Sequence, residues 1–190
     1  MDDKAALRGK LRARRRALPR EDRLRAAQAV CQLALTRPEI AGARRVMAYR
    51  AARGELDLDP LAAALAERGA VLYYPRVVAD ALEAAPAGAG FERGVYGIQE
   101  PCGEGLPPEA LRLDLVLIPL VAMDRAGRRL GQGGGYYDRF LPRLPGAPLR
   151  VGVGYCFQLI DQVPAQAHDA LLDALLTDQG WIPIERSSRR

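Results

Sequence analysis

The segment Asp114-Leu115-Val116-Leu117-Ile118-Pro119 limits the architecture of this chain more than any other. After the aspartate it carries no polar side chain and no alternation, so a strand formed there must be covered on both faces. Val151-Gly152-Val153-Gly154-Tyr155 has the same inner character, with glycines where a neighbour can approach closely. Arg45-Val46-Met47-Ala48-Tyr49 reads as a further short strand, followed by the turn-like Arg53-Gly54. Asp59-Pro60 matches a helix N-cap with proline at the first helical position. The Ala/Leu run after it stops at Gly69, and Val71 to Pro75 begins another strand. Strand, helix, strand in that order predicts a sheet of parallel character in a compact α/β or α+β domain. The 190 residues, 49% of them hydrophobic, are enough to enclose such a core.

The start of the chain is different. Residues 4 to 35 are rich in Ala, Leu, Arg and Gln, and Leu7, Leu11, Leu18, Leu24, Ala27, Val30 and Leu33 recur at helical spacing. Pro19 divides the stretch into two helices. Residues 1 to 25 hold ten Lys/Arg against four Asp/Glu, a net of +6, so against the chain's total of +5 the other 165 residues carry −1 and the basicity is local. Lys4, Arg8 and Arg12 fall four apart and share one helical face, which is either a solvated surface or a seat for phosphate. Aromatic residues do not interleave with the cluster, so stacking on nucleic-acid bases has no support. Residues 79 to 94 are weakly patterned and read as a loop or a reduced hairpin. No linker marks a second domain, so a single domain over 1–190 is expected, with the basic helices of 4–35 packed on the core and a polar tail at 185–190.

Several classes are disfavoured. Cys31, Cys102 and Cys156 match neither a disulfide scaffold nor a C-x-x-C spacing. The only serines, Ser187 and Ser188, lie in the tail, which leaves a Ser-His-Asp centre without a nucleophile. There is no apolar run of 18 residues and no apolar segment behind the charged N-terminus. No membrane span or secretory signal is therefore expected, and the expected location is cytoplasmic.

The stretch most suggestive of chemistry is Arg128-Arg129-Leu130-Gly131-Gln132-Gly133-Gly134-Gly135-Tyr136-Tyr137-Asp138-Arg139. Four glycines in five positions before a short helix ending at Pro142 form either a phosphate cradle of backbone N–H groups or a flexible hinge. It is not a dinucleotide fingerprint, and no Gly-Lys-Ser/Thr follows. Asp124 and Asp138 flank the loop. Either makes sense beside a triphosphate as a Mg²⁺ ligand, and Asp138 could equally satisfy N–H groups at the helix start. Arg128, Arg129 and Arg139 are available to neutralise oxygens. Glu55 follows a strand end, where α/β proteins expose ligand groups, although a loop carboxylate on the surface reads equally well. His168, the only histidine, cannot make a multi-histidine zinc site and reads as a surface residue.

Taken together, these segments resemble the 5-formyltetrahydrofolate cyclo-ligase family, also called 5,10-methenyltetrahydrofolate synthetases. The resemblance runs in order through Lys4-x-x-x-Arg8, Gly54-Glu55, Tyr96-Gly97-Ile98-Gln99-Glu100-Pro101, Asp114 to Pro119, Met123-Asp124, the Arg129 to Arg139 motif, Gln158, and His168-Asp169 with Asp173. It implies a three-layer α/β/α sandwich around a central, mostly parallel mixed sheet, similar to NagB, RpiA and CoA-transferase folds. The implied reaction is ATP-dependent closure of 5-formyltetrahydrofolate, polyglutamylated or not, to 5,10-methenyltetrahydrofolate, with Mg²⁺, releasing ADP and phosphate. The resemblance further implies attack of the formyl oxygen on the γ-phosphoryl group, then ring closure by N10.

Carried over by position, Lys4, Arg8, Arg129, Gly131, Gln132, Gly133, Gly134, Gly135, Tyr136 and Asp138 resemble the ATP site. Glu55 and Tyr136 resemble folate contacts, Asp138 and Asp173 metal-associated carboxylates, and Tyr136 and Arg129 the groups nearest the chemistry. A monomer without nucleic-acid or membrane partners is expected. The chain departs from the family pattern at Met123, where Phe is common, and at Gly134, where some relatives have lysine. Its shortened, Ala/Gly-rich segment at 79–93 leaves Leu82 or Phe91 to supply a bulky apolar contact to folate. Two other readings predict different behaviour: a changed acceptor on the same scaffold, or a polynucleotide binder driven by residues 4 to 25.

Overall fold

The computed structural model describes residues 3–94, 97–166 and 169–185. Tyr96, His168 and the tail beyond Glu185 therefore lie outside the described residues. The chain opens with helices α1 (Asp3–Arg16), α2 (Arg20–Leu35) and the single turn α3 (Pro38–Ala41). Strand β1 (Arg45–Met47), helix α4 (Asp59–Glu67) and strand β2 (Val71–Val78) follow, then β3 (Ala81–Pro86), β4 (Phe91–Arg93) and β5 (Gln99–Pro101). The second half contains β6 (Leu115–Pro119), β7 (Ala122–Met123), β8 (Arg129–Leu130), α5 (Tyr136–Phe140), β9 (Leu149–Gly154), β10 (Ala174–Thr177) and β11 (Gly180–Pro183).

The main sheet has the order β11-β10-β9-β6-β1-β2-β3. Its five inner strands are parallel, and an antiparallel strand closes each edge. The unbroken apolar run is β6, in the middle, and its side chains from Leu115 to Ile118 are buried. One face packs on α2 and α4 through Val30, Ala34, Leu61 and Leu65. The other is covered by α5 and the segment before β10, through Phe140, Leu141, Leu144 and Leu172. The mostly parallel mixed sheet between helices is the α/β arrangement expected. The two glycines of β9 are close-approach sites, since a Cβ on Gly152 would lie 2.4 Å from Leu172 Cδ1 and one on Gly154 3.0 Å from Gln158 Oε1.

Two local expectations are corrected. Leu58, not Asp59, occupies the cap of α4. Asp59 is the first helical residue, its N–H donates to Asp57 Oδ1 at 2.9 Å, and its carboxylate pairs with Arg50. The stretch read as a loop or reduced hairpin contains a full strand, β3, paired with β2 from Tyr73↔Pro86 to Val78↔Ala81 across a tight turn at Ala79-Asp80. An alanine-rich strand carries little hydrophobic pattern, yet Ala84 is buried in the cluster that includes Phe140 of α5, and Ala85 is buried on the opposite face. Among the described residues no helix is long and apolar enough to cross a membrane.

The connection leaving β1 runs through α4 to β2, while the one leaving β6 runs through β7, β8 and α5 to β9. The two depart toward opposite edges, so the carboxyl ends of β1 and β6 border a topological switch point, where open α/β sheets bind ligands.

Candidate functional site

Both sequence-predicted loops arrive at this switch point. Residues 50–58 extend β1 and carry Glu55, and the short β7–β8 pair after β6 delivers Gly131 to Gly135. Gln132 joins them, with its Nε2 donating to Glu55 Oε1 at 2.9 Å. Gly133 and Gly135 have φ of 111° and 64°, left-handed values that favour glycine and turn the loop into α5. Among the described residues, the N–H groups of Gly131 to Gly135 donate to no protein acceptor, so they remain available to an anion.

Helix α1 forms the opposite wall. Arg8 Nε donates to Gly131 O at 3.0 Å, and Arg12 donates to Gln132 Oε1 at 2.9 Å and to Gln132 O at 2.8 Å. Lys4 Nζ lies 3.5 Å from Asp169. Arg8 and Arg12 thus reach the loop, and Lys4 reaches the segment before β10. Arg15, one turn further, is not distinguished by sequence, because in the run Arg14-Arg15-Arg16 nothing marks one arginine from its neighbours. It is the most deeply buried charge of the helix, with 1% of its side chain exposed. Its Nη1 lies 3.6 Å from Glu55 Oε1 and donates to Leu120 O, while its Nε donates to Arg53 O. The only available signal was spacing, since 8, 12 and 15 follow one face.

Glu55 is accordingly an inward-facing carboxylate. Burial pushes its pKa above the ordinary 4.5, against the opposing pull of Arg15, the Ala52 N–H and Gln132. A raised carboxyl in the folded state contributes stability that is complete below the unfolded value and is lost as pH rises through the folded one. Glu55→Gln should therefore flatten the fall in stability as pH rises above 4.5, a slope of no more than about 1.4 kcal/mol per pH unit. Thermal unfolding of both proteins at stepped pH reads that slope; identical slopes would exclude Glu55 as its source.

Arg129 and Asp138 form a second buried pair, Nη2 to Oδ1 at 2.6 Å, and the Ala170 N–H donates to the same Oδ1 at 3.0 Å. Asp138 does satisfy an N–H group, but one from a distant segment instead of its own helix. Arg129 Nε is buried without a partner, and Nη1 borders the loop, 3.4 Å from where a Gly131 Cβ would stand. Arg139 lies over the Tyr136 ring at 5.3 Å and donates to Gly134 O. Tyr137, which no pattern in the sequence singles out, buries its hydroxyl without a protein partner. Burial and the nearby Glu55 carboxylate push its phenol far up, so it stays protonated.

Other candidates lie elsewhere. Asp124 is fully buried and accepts from the Ala126, Arg128 and Val163 N–H groups and from Arg128 Nε. Its lone pairs are taken, so it ties the β7–β8 turn together, and Arg128 is committed to it. Asp173 precedes β10, accepts the Arg150 N–H at 2.9 Å, and lines a hollow with Ala147, Pro148 and Leu149 at the amino ends of the parallel strands. The parallel pairing of β9 and β10 sets that edge opposite the glycine loop, so Asp173 is not brought to Asp138. Gln158 is a buried clamp: its Oε1 accepts the Tyr155 N–H, and its Nε2 donates to Leu120 O and Val121 O. Leu82 is in the core. Phe91 meets Tyr74 edge-on at 5.0 Å and carries Arg50 over its face.

A cavity of about 280 Å³ beside Glu55 is lined also by Gly54, Ala51, Arg50, Arg20, Arg23 and Leu24. Among the described residues no three His, Cys, Asp or Glu side chains converge as a metal site. Asp138, with one oxygen already accepting two donors, can offer at most its other oxygen. That fits Mg²⁺ carried by a triphosphate, which supplies most of its own ligands.

A family model described as the 5-formyltetrahydrofolate cyclo-ligase family matches residues 1–178. The 5-formyltetrahydrofolate cyclo-ligase of Escherichia coli K12 is 32% identical over 183 residues, covering 88% of this chain and 96% of that protein. The mitochondrial protein of the same name from Arabidopsis thaliana is 43% identical over 82 residues, covering 38% of this chain and 30% of the longer plant protein. The NMR structure of the Aquifex aeolicus 5,10-methenyltetrahydrofolate synthetase superposes with a TM-score of 0.83 at 34% identity, covering 98% of this chain and 96% of that one.

Proposed function

Because this chain belongs to the 5-formyltetrahydrofolate cyclo-ligase family, we propose that it is the enzyme that closes 5-formyltetrahydrofolate to 5,10-methenyltetrahydrofolate, coupled to conversion of ATP to ADP and phosphate. The observation that carries this reading is the convergence of Arg8, Arg12 and Glu55 on one glycine loop, through Gly131 and Gln132. It joins an anion-binding wall to an inward carboxylate across a distance that one ternary complex can span.

The formyl oxygen of the substrate is amide-like and a poor leaving group. In the proposed first step it attacks the γ-phosphorus of ATP, and the bond from phosphorus to the β–γ bridging oxygen breaks, releasing ADP. N10 then adds to the formyl carbon, the C–O bond to phosphate breaks, and the N10 proton is lost as the ring closes. The protein's contribution is positioning and charge neutralisation. Backbone N–H groups of Gly131 to Gly135 receive the phosphates, with Lys4 and Arg8 from α1 and Arg129 from below. Mg²⁺, when bound with ATP, neutralises phosphate charge, and Asp138 is the residue that would hold it; Asp173 is left out of this assignment.

Glu55 presents an acceptor to the N–H edge of the pterin. Tyr136, at the end of the loop, sits where it can flank the reacting groups. The Tyr137 hydroxyl, protonated and without a protein partner, is a donor for the bound substrates.

The decisive experiment follows near-ultraviolet absorbance of the methenyl product with purified protein, Mg-ATP and 5-formyltetrahydrofolate. An ATP-dependent rise is expected, at least about tenfold slower in Asp138→Ala. Folded protein that binds ATP and gives no rise would mean a different acceptor. Polynucleotide binding that persists without Mg-ATP and weakens steeply with salt would mean a different function altogether.

A further inference from the structure

The cavity beside Glu55 is larger than the carboxylate needs. Part of its wall is the start of α2, through Arg20, Arg23 and Leu24. The acids that also line it are engaged: Glu55 with Arg15 and Gln132, Asp59 with Arg50 at 2.6 Å, and Asp57 with the Asp59 N–H. Arg20 and Arg23 are not. Among the described residues neither guanidinium has a carboxylate partner, and Arg23 Nε is buried without any hydrogen bond. The protein itself supplies that donor with no acceptor. The same lining includes Ala51 and Leu24, and Leu24 is 52% exposed, the most exposed large apolar side chain among the described residues. One hollow therefore presents a carboxylate, apolar side chains and a pair of guanidiniums without carboxylate partners.

That combination suits a ligand with an N–H-bearing head, an aromatic middle and an anionic end. Resting on the folate reading above, we propose that Arg20 and Arg23 form a subsite for the glutamate carboxylates of the substrate, with the aminobenzoyl ring lying along Leu24. Guanidinium is suited to this task, because its planar fork meets a carboxylate through paired N–H donors. The pair also gives the second helix of the basic N-terminal region a part in substrate recognition, separate from the phosphate wall on α1.

The test compares KM for 5-formyltetrahydrofolate with KM for 5-formyltetrahydropteroate, which retains N10 and the ring but lacks glutamate. In the wild type the pteroate KM should be higher by roughly tenfold to thirtyfold. In Arg20→Gln/Arg23→Gln that ratio should fall toward one through a rise in the folate KM. Arg23→Lys should recover part of the difference, and KM for ATP measured in parallel reports on the neighbouring site. Glutamine is about as good a helix former as arginine and removes the unpartnered buried Nε of Arg23, so the double variant should fold. An unchanged ratio in the double variant would overturn the subsite and leave the cyclo-ligase reading intact. Failure of the wild type to turn over either compound, with ATP still bound, would overturn the parent reading and this one with it.

Discussion

Replacing Arg129 by methionine should lower kcat by about a hundredfold to a thousandfold, the loss typical of a preorganised donor removed from a developing anion. The side chain is buried, its Nη2 is held by Asp138, and its Nη1 faces the loop at Gly131. It is therefore a fixed cation that does not have to reorganise when phosphate charge shifts. Lysine at the same position keeps the charge without the fork, so it should recover only part of the rate. Because the change also strips Asp138 of its ion pair, stability has to be measured alongside. Urea unfolding of Arg129→Met and of Arg129→Met/Asp138→Asn separates the two effects. A kcat within threefold of wild type in a folded Arg129→Met protein would remove Arg129 from the chemistry.

The largest effect on stability is expected at Arg15. Arg15→Met should cost about 3–5 kcal/mol, because it leaves Glu55 buried without its cation. The arginine also donates to Leu120 O and Arg53 O, so the segments after β6 and β1 lose a common tie. Much of the loss should be recovered in Arg15→Met/Glu55→Gln, where no uncompensated charge remains, and the shortfall from additivity measures the pair. Lower pH should also ease the single variant, as Glu55 becomes neutral. Strictly additive losses in urea unfolding, unchanged between neutral and mildly acidic pH, would show that Arg15 is not what compensates Glu55.

Arg15 also shows where sequence reading stops. The two-faced run at 115–119, the break at Pro19 and the glycine loop were legible because each is set by local chemistry: burial on both faces, a missing N–H, a freedom of φ. The hairpin strand β3 was not, since Ala81 to Pro86 takes its regularity from β2 and its cover from α5. The same distinction divides the site. Glu55 and the loop were found from their positions after strands and the resemblance of their motifs, whereas the sorting of charges was hidden. Asp124 and Asp138 look alike in sequence. Four donors close around the first, and only two around one oxygen of the second, because Val163 and Ala170 come back from a later segment. Asp173 sits near His168-Asp169 in sequence, but it is carried to the other end of the strands by the approach to β10. Which arginine meets a carboxylate and which does not depends on contacts with distant parts of the chain, and local pattern is silent about them.

The docking of α1 has a consequence for how the molecule comes together. Arg8 and the carbonyl it meets are 123 residues apart in the chain. Helix α1 leaves the ribosome before its counterpart and must remain without it until the chain has grown by those 123 residues. Of its described residues only Leu11 and Arg15 are fully buried in the finished protein, so little apolar surface goes unsheltered meanwhile. The sheet can condense around Leu115 to Ile118 first. Helix α1 then settles as a late, largely polar addition, and the arginine wall beside the glycine loop becomes whole only after the fold that supports it.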